Sequence, residues 1–138
     1  MNTQFVVVGF DGSPDARAAV RWAARAAAVA GMGLRIVHAV GLLEHAGIGV
    51  TDIHRDAAID TAIDAGLAAD QVKWCVVDGD PCSALLRLCE PPEMASLLVV
   101  GSRGSGAHRG TLLGSTSLEL VERATVPVTV VPHTQRAS

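Results

Sequence analysis

The stretch Phe5-Val6-Val7-Val8-Gly9-Phe10-Asp11-Gly12-Ser13-Pro14 decides the fold of this chain. It begins as an unbroken apolar run rich in β-branched residues, which suits a strand covered on both faces. Glycines 9 and 12 bracket a turn. Ser13-Pro14 then sets a capping hydroxyl directly before proline at the first helical position. The alanine-rich residues that follow predict a helix of about 17 residues. Strand, glycine turn and capped helix make one βα unit.

That unit repeats. Further apolar runs lie at Leu34 to Val40, Val72 to Val77, Leu97 to Val100 and Val128 to Val131. Asp80-Pro81 repeats the capped start, ahead of Cys82, Leu85, Leu86 and Cys89 on one helical face. Two more helices are predicted. One is Asp52 to Ala69, with Ile59, Ile63 and Leu67 at spacing four; the other is Ser117 to Arg123, with Leu118 and Val121. The alternation gives an α/β fold, an open parallel sheet of five strands with helices on both faces. Ligands of such sheets lie beyond the carboxyl ends of the strands, where the strand order reverses.

Composition removes several functions. The 138 residues suit a single domain, 1–138. Hydrophobic residues are 49% and charged residues 18%, as in a globular chain. A net charge of −3 argues against binding nucleic acid by neutralising phosphates, and 3% aromatics without tyrosine leaves little for base stacking. Lys73 is the sole lysine, so a phosphate-gripping lysine is Lys73 or none. Cys75, Cys82 and Cys89 have no metal-binding spacing and read as small residues of a chain kept reduced. The first residues lack a signal-peptide pattern, and no apolar run reaches membrane length. A cytoplasmic location without membrane attachment is expected.

Two loops at strand carboxyl ends carry the chemistry. One is Gly9 to Ser13. The other runs from Gly101 through Arg103, Gly104, Gly106 and Gly110 to Gly114-Ser115-Thr116-Ser117, with five glycines in 14 residues. Glycines admit close approach of backbone N–H groups to phosphate oxygens, and a helix start adds its dipole. Neither a G-x-G-x-x-G (position 107 is Ala107) nor a GK[ST] loop is present. A flexible turn closed by a Thr116–Glu119 capping box explains the same glycines equally well.

The spacing Gly101-x2-Gly104-x9-Gly114-Ser115 breaks that tie, because it resembles the nucleotide loop of the universal stress protein family. The opening Val-Val-Val-Gly-Phe-Asp-Gly-Ser, the segment Val37-His38-Ala39-Val40 and the closing Val126 to Val131 are similar to family segments, so the resemblance spans essentially the whole chain. It implies the ATP-binding branch, a Rossmann-like, adenine nucleotide α-hydrolase-like fold with strand order 3-2-1-4-5, and a role as a nucleotide-dependent stress sensor or regulator. Gly9, Phe10 and Asp11 would line the adenine–ribose end, with Ala39 closing the adenine pocket. Val100, Gly101, Arg103 and Gly104 would run along ribose and α-phosphate. Gly114, Ser115, Thr116 and Ser117 would hold the phosphate tail, with Mg²⁺ or Mn²⁺ bridging phosphates. The stretch from Gly41 to Asp52 is short for the family, and His108 and Arg109 match no family role. The resemblance also implies a homodimer through the last strand, an edge set between Pro127 and Pro132.

Catalytic readings find less support. Asp11 also suits a turn carboxylate before Ser13. His38, His45, His54, His108 and His133 show no metal pairing and read as surface or structural. Cys82 with His108 is a conceivable pair, but Cys82 opens a helix on its core face. Gly104-Ser105-Gly106 is not a nucleophile elbow. No catalytic residue and no protein metal ligand is expected. The rivals to a binding protein are a slow ATPase or adenylyl-transfer enzyme of the same fold, and a ligand-free interaction module. Finally, Arg17, Arg21 and Arg25 on the first helix and Asp52, Asp56, Asp60 and Asp64 on the second read first as two solvated faces. As a second reading, they are stripes that partly offset each other across the groove between the helices.

Overall fold

The computed structural model describes residues 4–40, 50–102 and 113–132. The strands are β1 (Phe5–Gly9), β2 (Gly33–Val40), β3 (Val72–Asp78), β4 (Leu97–Gly101) and β5 (Val128–Val131). The helices are α1 (Pro14–Ala30), α2 (Val50–Asp64), α3 (Pro81–Arg87) and α4 (Ser115–Arg123). All pairings are parallel and the order is β3-β2-β1-β4-β5, as expected from the sequence. Val8 pairs with Ile36 on one side and Val99 on the other, so the order reverses at β1.

Alternation along β1 explains its unbroken apolar run. Val6 and Val8 pack with the α1 and α2 residues Ala19, Ala23, Ala58 and Ala62. Phe5 and Val7 pack with Cys82, Leu85 and Leu120 of α3 and α4. The small side chains of α1 leave Ala19, Val20, Ala23, Ala24 and Ala27 fully buried. Its ends are closed as expected: Ser13 Oγ accepts from the Ala16 N–H at 3.1 Å, and Gly31 at φ 71° donates to the carbonyls of Ala27 and Ala28.

Two helices depart from expectation. The second helix ends at Asp64, not Ala69, because Gly66 takes φ 111° and its N–H turns back to Ile63. Its core face is Ala58 and Ala62; Ile63 is exposed and Leu67 is buried beyond the helix. The last helix starts at Ser115 rather than Ser117, with Gly114 as N-cap and no side-chain cap, so the Thr116–Glu119 box does not form. The Glu119 carboxylate accepts instead from Arg123, one turn on. Leu118 and Val121 are half-exposed, and Ser117 and Leu120 face inward. Among the described residues no ion pair joins the two charge rows; Asp52 and Asp56 pair with Arg55 of their own helix.

Cys82 and Cys89 are buried as expected, although Cys89 lies past the end of α3, where its thiol donates to the Leu85 carbonyl at 3.6 Å.

Candidate functional site

The carboxyl ends of β1 and β4, side by side at the strand-order reversal, form the floor of the candidate site. At the β1 end, the Phe10 N–H donates to the Val37 carbonyl at 2.9 Å, and its carbonyl lies 2.9 Å from His38 Nδ1. A carbonyl only accepts, so His38 carries its proton on Nδ1 toward Phe10. The turn is thereby tied to β2 just before Ala39, which is partly exposed. The Phe10 ring, 4% exposed, points away into the core, edge-on to Trp74 and His54. What Phe10 offers the site is backbone. Asp11 is exposed, and its Oδ1 accepts from the Ser13 N–H at 2.9 Å. It thus closes the turn.

At the β4 end, Gly101 tolerates no side chain: a Cβ there would sit 2.8 Å from the backbone of Asp15. The absent Cβ lets β4 abut the first turn of α1. Val100, 5% exposed, belongs to the core beneath. Ser117, assigned above to the phosphate tail, is buried and its hydroxyl donates to the Gly101 carbonyl at 2.6 Å. Gly114 has φ −72° and ψ 164°, backbone angles open to any residue, so nothing in its own conformation demands glycine. Its N–H donates to the Ser102 carbonyl at 2.6 Å. Ser115 is exposed and Thr116 half-buried in the uncapped first turn of α4. Arg103, Gly104, Gly106, His108, Arg109 and the 41–49 stretch lie outside the described residues.

Residues that sequence reasoning passed over stand between these loops. Asp15 and Ser102 are 6% and 8% exposed, and the Ser102 hydroxyl donates to Asp15 Oδ2 at 3.0 Å. Asp15 looks in sequence like an ordinary first-turn acid of a helix, and only the approach of β4 buries it. His54, which the sequence leaves only as surface or structural, is the second residue here. Its ring lies where a Gly12 Cβ would be, 2.7 Å from Nε2, and its Nδ1 is buried without a hydrogen-bond partner among the described residues. His54 also meets His38 edge-on, and His38 stacks on Trp74 at 5.5 Å. No spacing in the sequence joins these rings; β2, β3 and α2 bring them together.

Cys82 is unsuited to nucleophilic chemistry. Burial, aided by nearby Glu119, pushes its thiol up to about 11, and a thiol is a weak nucleophile next to its thiolate. Burial also raises Cys75 and Cys89 above the usual thiol value. No group of three or more metal-ligating side chains exists among the described residues, and no helix among them is long and apolar enough to cross a membrane.

Comparison with known proteins matches this arrangement. Residues 3–132 fit the family model of the universal stress protein family. A universal stress protein of Mycobacterium tuberculosis is 32% identical over 158 residues, covering 95% of this chain and 49% of the relative. A second from the same organism is 34% identical over 151 residues, covering 96% and 51%. This chain thus spans about half the length of these curated relatives. Among solved structures, a universal stress protein in complex with cAMP superimposes with a TM-score of 0.78 at 32% identity, covering 95% of this chain and 98% of that one. With the fold, the opening strand and turn, and the match over residues 3–132 in agreement, the chain belongs to the universal stress protein family.

Proposed function

We propose that residues 1–138 form one adenine-nucleotide-binding domain that takes ATP across the carboxyl ends of β1 and β4 and acts as a nucleotide-dependent regulator of the stress response. The observation that carries this reading is the near-complete superposition on a family member bound to cAMP. Local chemistry supports it. The α4 start has no side-chain cap, so its first-turn N–H groups are suited to an anion. Gly114, Ser115 and Thr116 would receive the phosphates there, with Asp11 and Ala39 at the adenine–ribose end. Arg103 and Gly104 would complete the loop along ribose and α-phosphate. Mg²⁺ or Mn²⁺ would be held through the phosphates, in keeping with hard oxygen donors such as the Ser115 and Thr116 hydroxyls. The domain binds rather than turns over its nucleotide in this reading, and operates in the cytoplasm.

The same reading makes the protein a homodimer through β5. Support comes from position: β5 is an edge strand with half-buried Val128 and Val130, and exposed Leu118 and Val121 lie on neighbouring α4. Apolar edges of this kind are commonly paired.

Thermal melting with millimolar MgATP tests the binding reading. Ligand at 100 times its dissociation constant adds about 2.7 kcal/mol of stability. Gly114→Val should remove that shift while leaving the circular dichroism spectrum mixed helix and sheet. No shift with ATP, ADP or AMP, and no nucleotide released from the purified protein, would leave the interaction module as the better description. Phosphate release above background would favour the slow ATPase.

A further inference from the structure

The nucleotide reading above leaves unexplained why a carboxylate is buried between α1 and β4. Asp15 is the second residue of α1 and 6% exposed. Burying a carboxylate is costly unless partners hold it. One such partner is Ser102, the first residue after β4, whose hydroxyl donates to Asp15 Oδ2 at 3.0 Å. Ser102 is also bonded through both its backbone groups. Its N–H donates to the Val131 carbonyl at the end of β5, at 2.9 Å, and its carbonyl accepts from the Gly114 N–H at 2.6 Å. Gly114 in turn caps α4 with backbone alone. The path Asp15, Ser102, Gly114 therefore links the buried carboxylate, by two successive hydrogen bonds, to the helix start that would meet phosphate.

We propose that Asp15 is a positioning residue for the phosphate end of the nucleotide site, acting through Ser102 and not by touching the ligand. The carboxylate fixes the Ser102 hydroxyl and hence the Ser102 peptide. That peptide places Gly114 and the first-turn N–H groups of Ser115 and Thr116. A site set up in this way is preorganised toward phosphate and indifferent at the adenine end, where the Phe10 backbone is held separately by Val37 and His38. The alternative, that Asp15 only complements the α1 dipole, makes no distinction between ligands with and without phosphates.

Isothermal titration of ATP and of adenosine into the wild type, Asp15→Asn, Ser102→Ala and the double variant decides between them. Loss of a charge-assisted hydrogen bond should weaken ATP about tenfold in each single variant. Adenosine should change no more than about twofold, and the double variant should bind ATP no more weakly than either single, because both changes cut one path. Ser102→Ala keeps the question answerable should Asp15→Asn fail to fold. A wild type that binds neither ligand overturns the nucleotide reading itself. A wild type that binds both, with variants that keep its ATP-to-adenosine ratio or add independently in the double, overturns the positioning role alone, whatever happens to the melting temperature.

Discussion

The turn after β1 and the exit from β4 lie side by side and are held in opposite ways. Beyond Phe10, which is bonded to β2, the β1 turn closes on neighbours in sequence: Ser13 bonds Asp11 two residues back, and Ala16 bonds the Ser13 hydroxyl three back. The β4 exit depends on distant partners. Ser102 reaches 87 positions back to Asp15, and the Gly101 carbonyl receives a hydroxyl from 16 positions on. From Asp11 onward the first loop is closed by local bonds, with Phe10 alone tied to β2, whereas the other exists only once α1, β5 and α4 have docked. The contrast predicts that the β4 exit is the more fragile of the two.

The largest effect is expected at Gly101. A Gly101→Val side chain must displace the first turn of α1, and overpacking of this severity costs about 3 kcal/mol. For a chain of this size the melting temperature should fall by about 10 °C. A variant melting within about 2 °C of wild type would show that α1 can yield, and the contrast between the loops would fail.

Gly12→Ala should come next. Its φ of 85° costs a residue with a Cβ about 1–2 kcal/mol, and the added methyl also meets His54. The contact is with the end of a side chain rather than with backbone, so it should add less than the backbone does. Made on a His54→Ala background, the substitution should cost about 1 kcal/mol, the backbone part alone. Equal costs on both backgrounds, measured by urea denaturation, would mean that His54 does not press on the turn.

The caps give the smallest and most diagnostic pair. Ser13→Ala removes a formed cap and should cost about 1 kcal/mol. Thr116→Ala should stay within about 0.5 kcal/mol of wild type in the absence of nucleotide, because Thr116 caps nothing. A Thr116→Ala loss as large as that of Ser13→Ala would restore the capping box that the sequence suggests.

The same division runs through the whole molecule. Sequence alone determined the alternation of strand and helix, the Ser13 and Asp80 caps and the inward placement of Cys82. Each follows from bonds within four residues or from the period at which a helix or strand turns its side chains. The position of Gly101 at a strand end was legible for the same reason, whereas Gly114 as the cap of α4 was not. Tertiary structure alone decided which small residues make the α2 core face, why Ser117 turns inward, and how Asp15, Ser102 and Gly114 become neighbours. Nothing local distinguishes a first-turn aspartate bound for water from one bound for the interior. The difference is made by a strand more than 80 residues away, with a glycine at its end, arriving close enough to exclude the water.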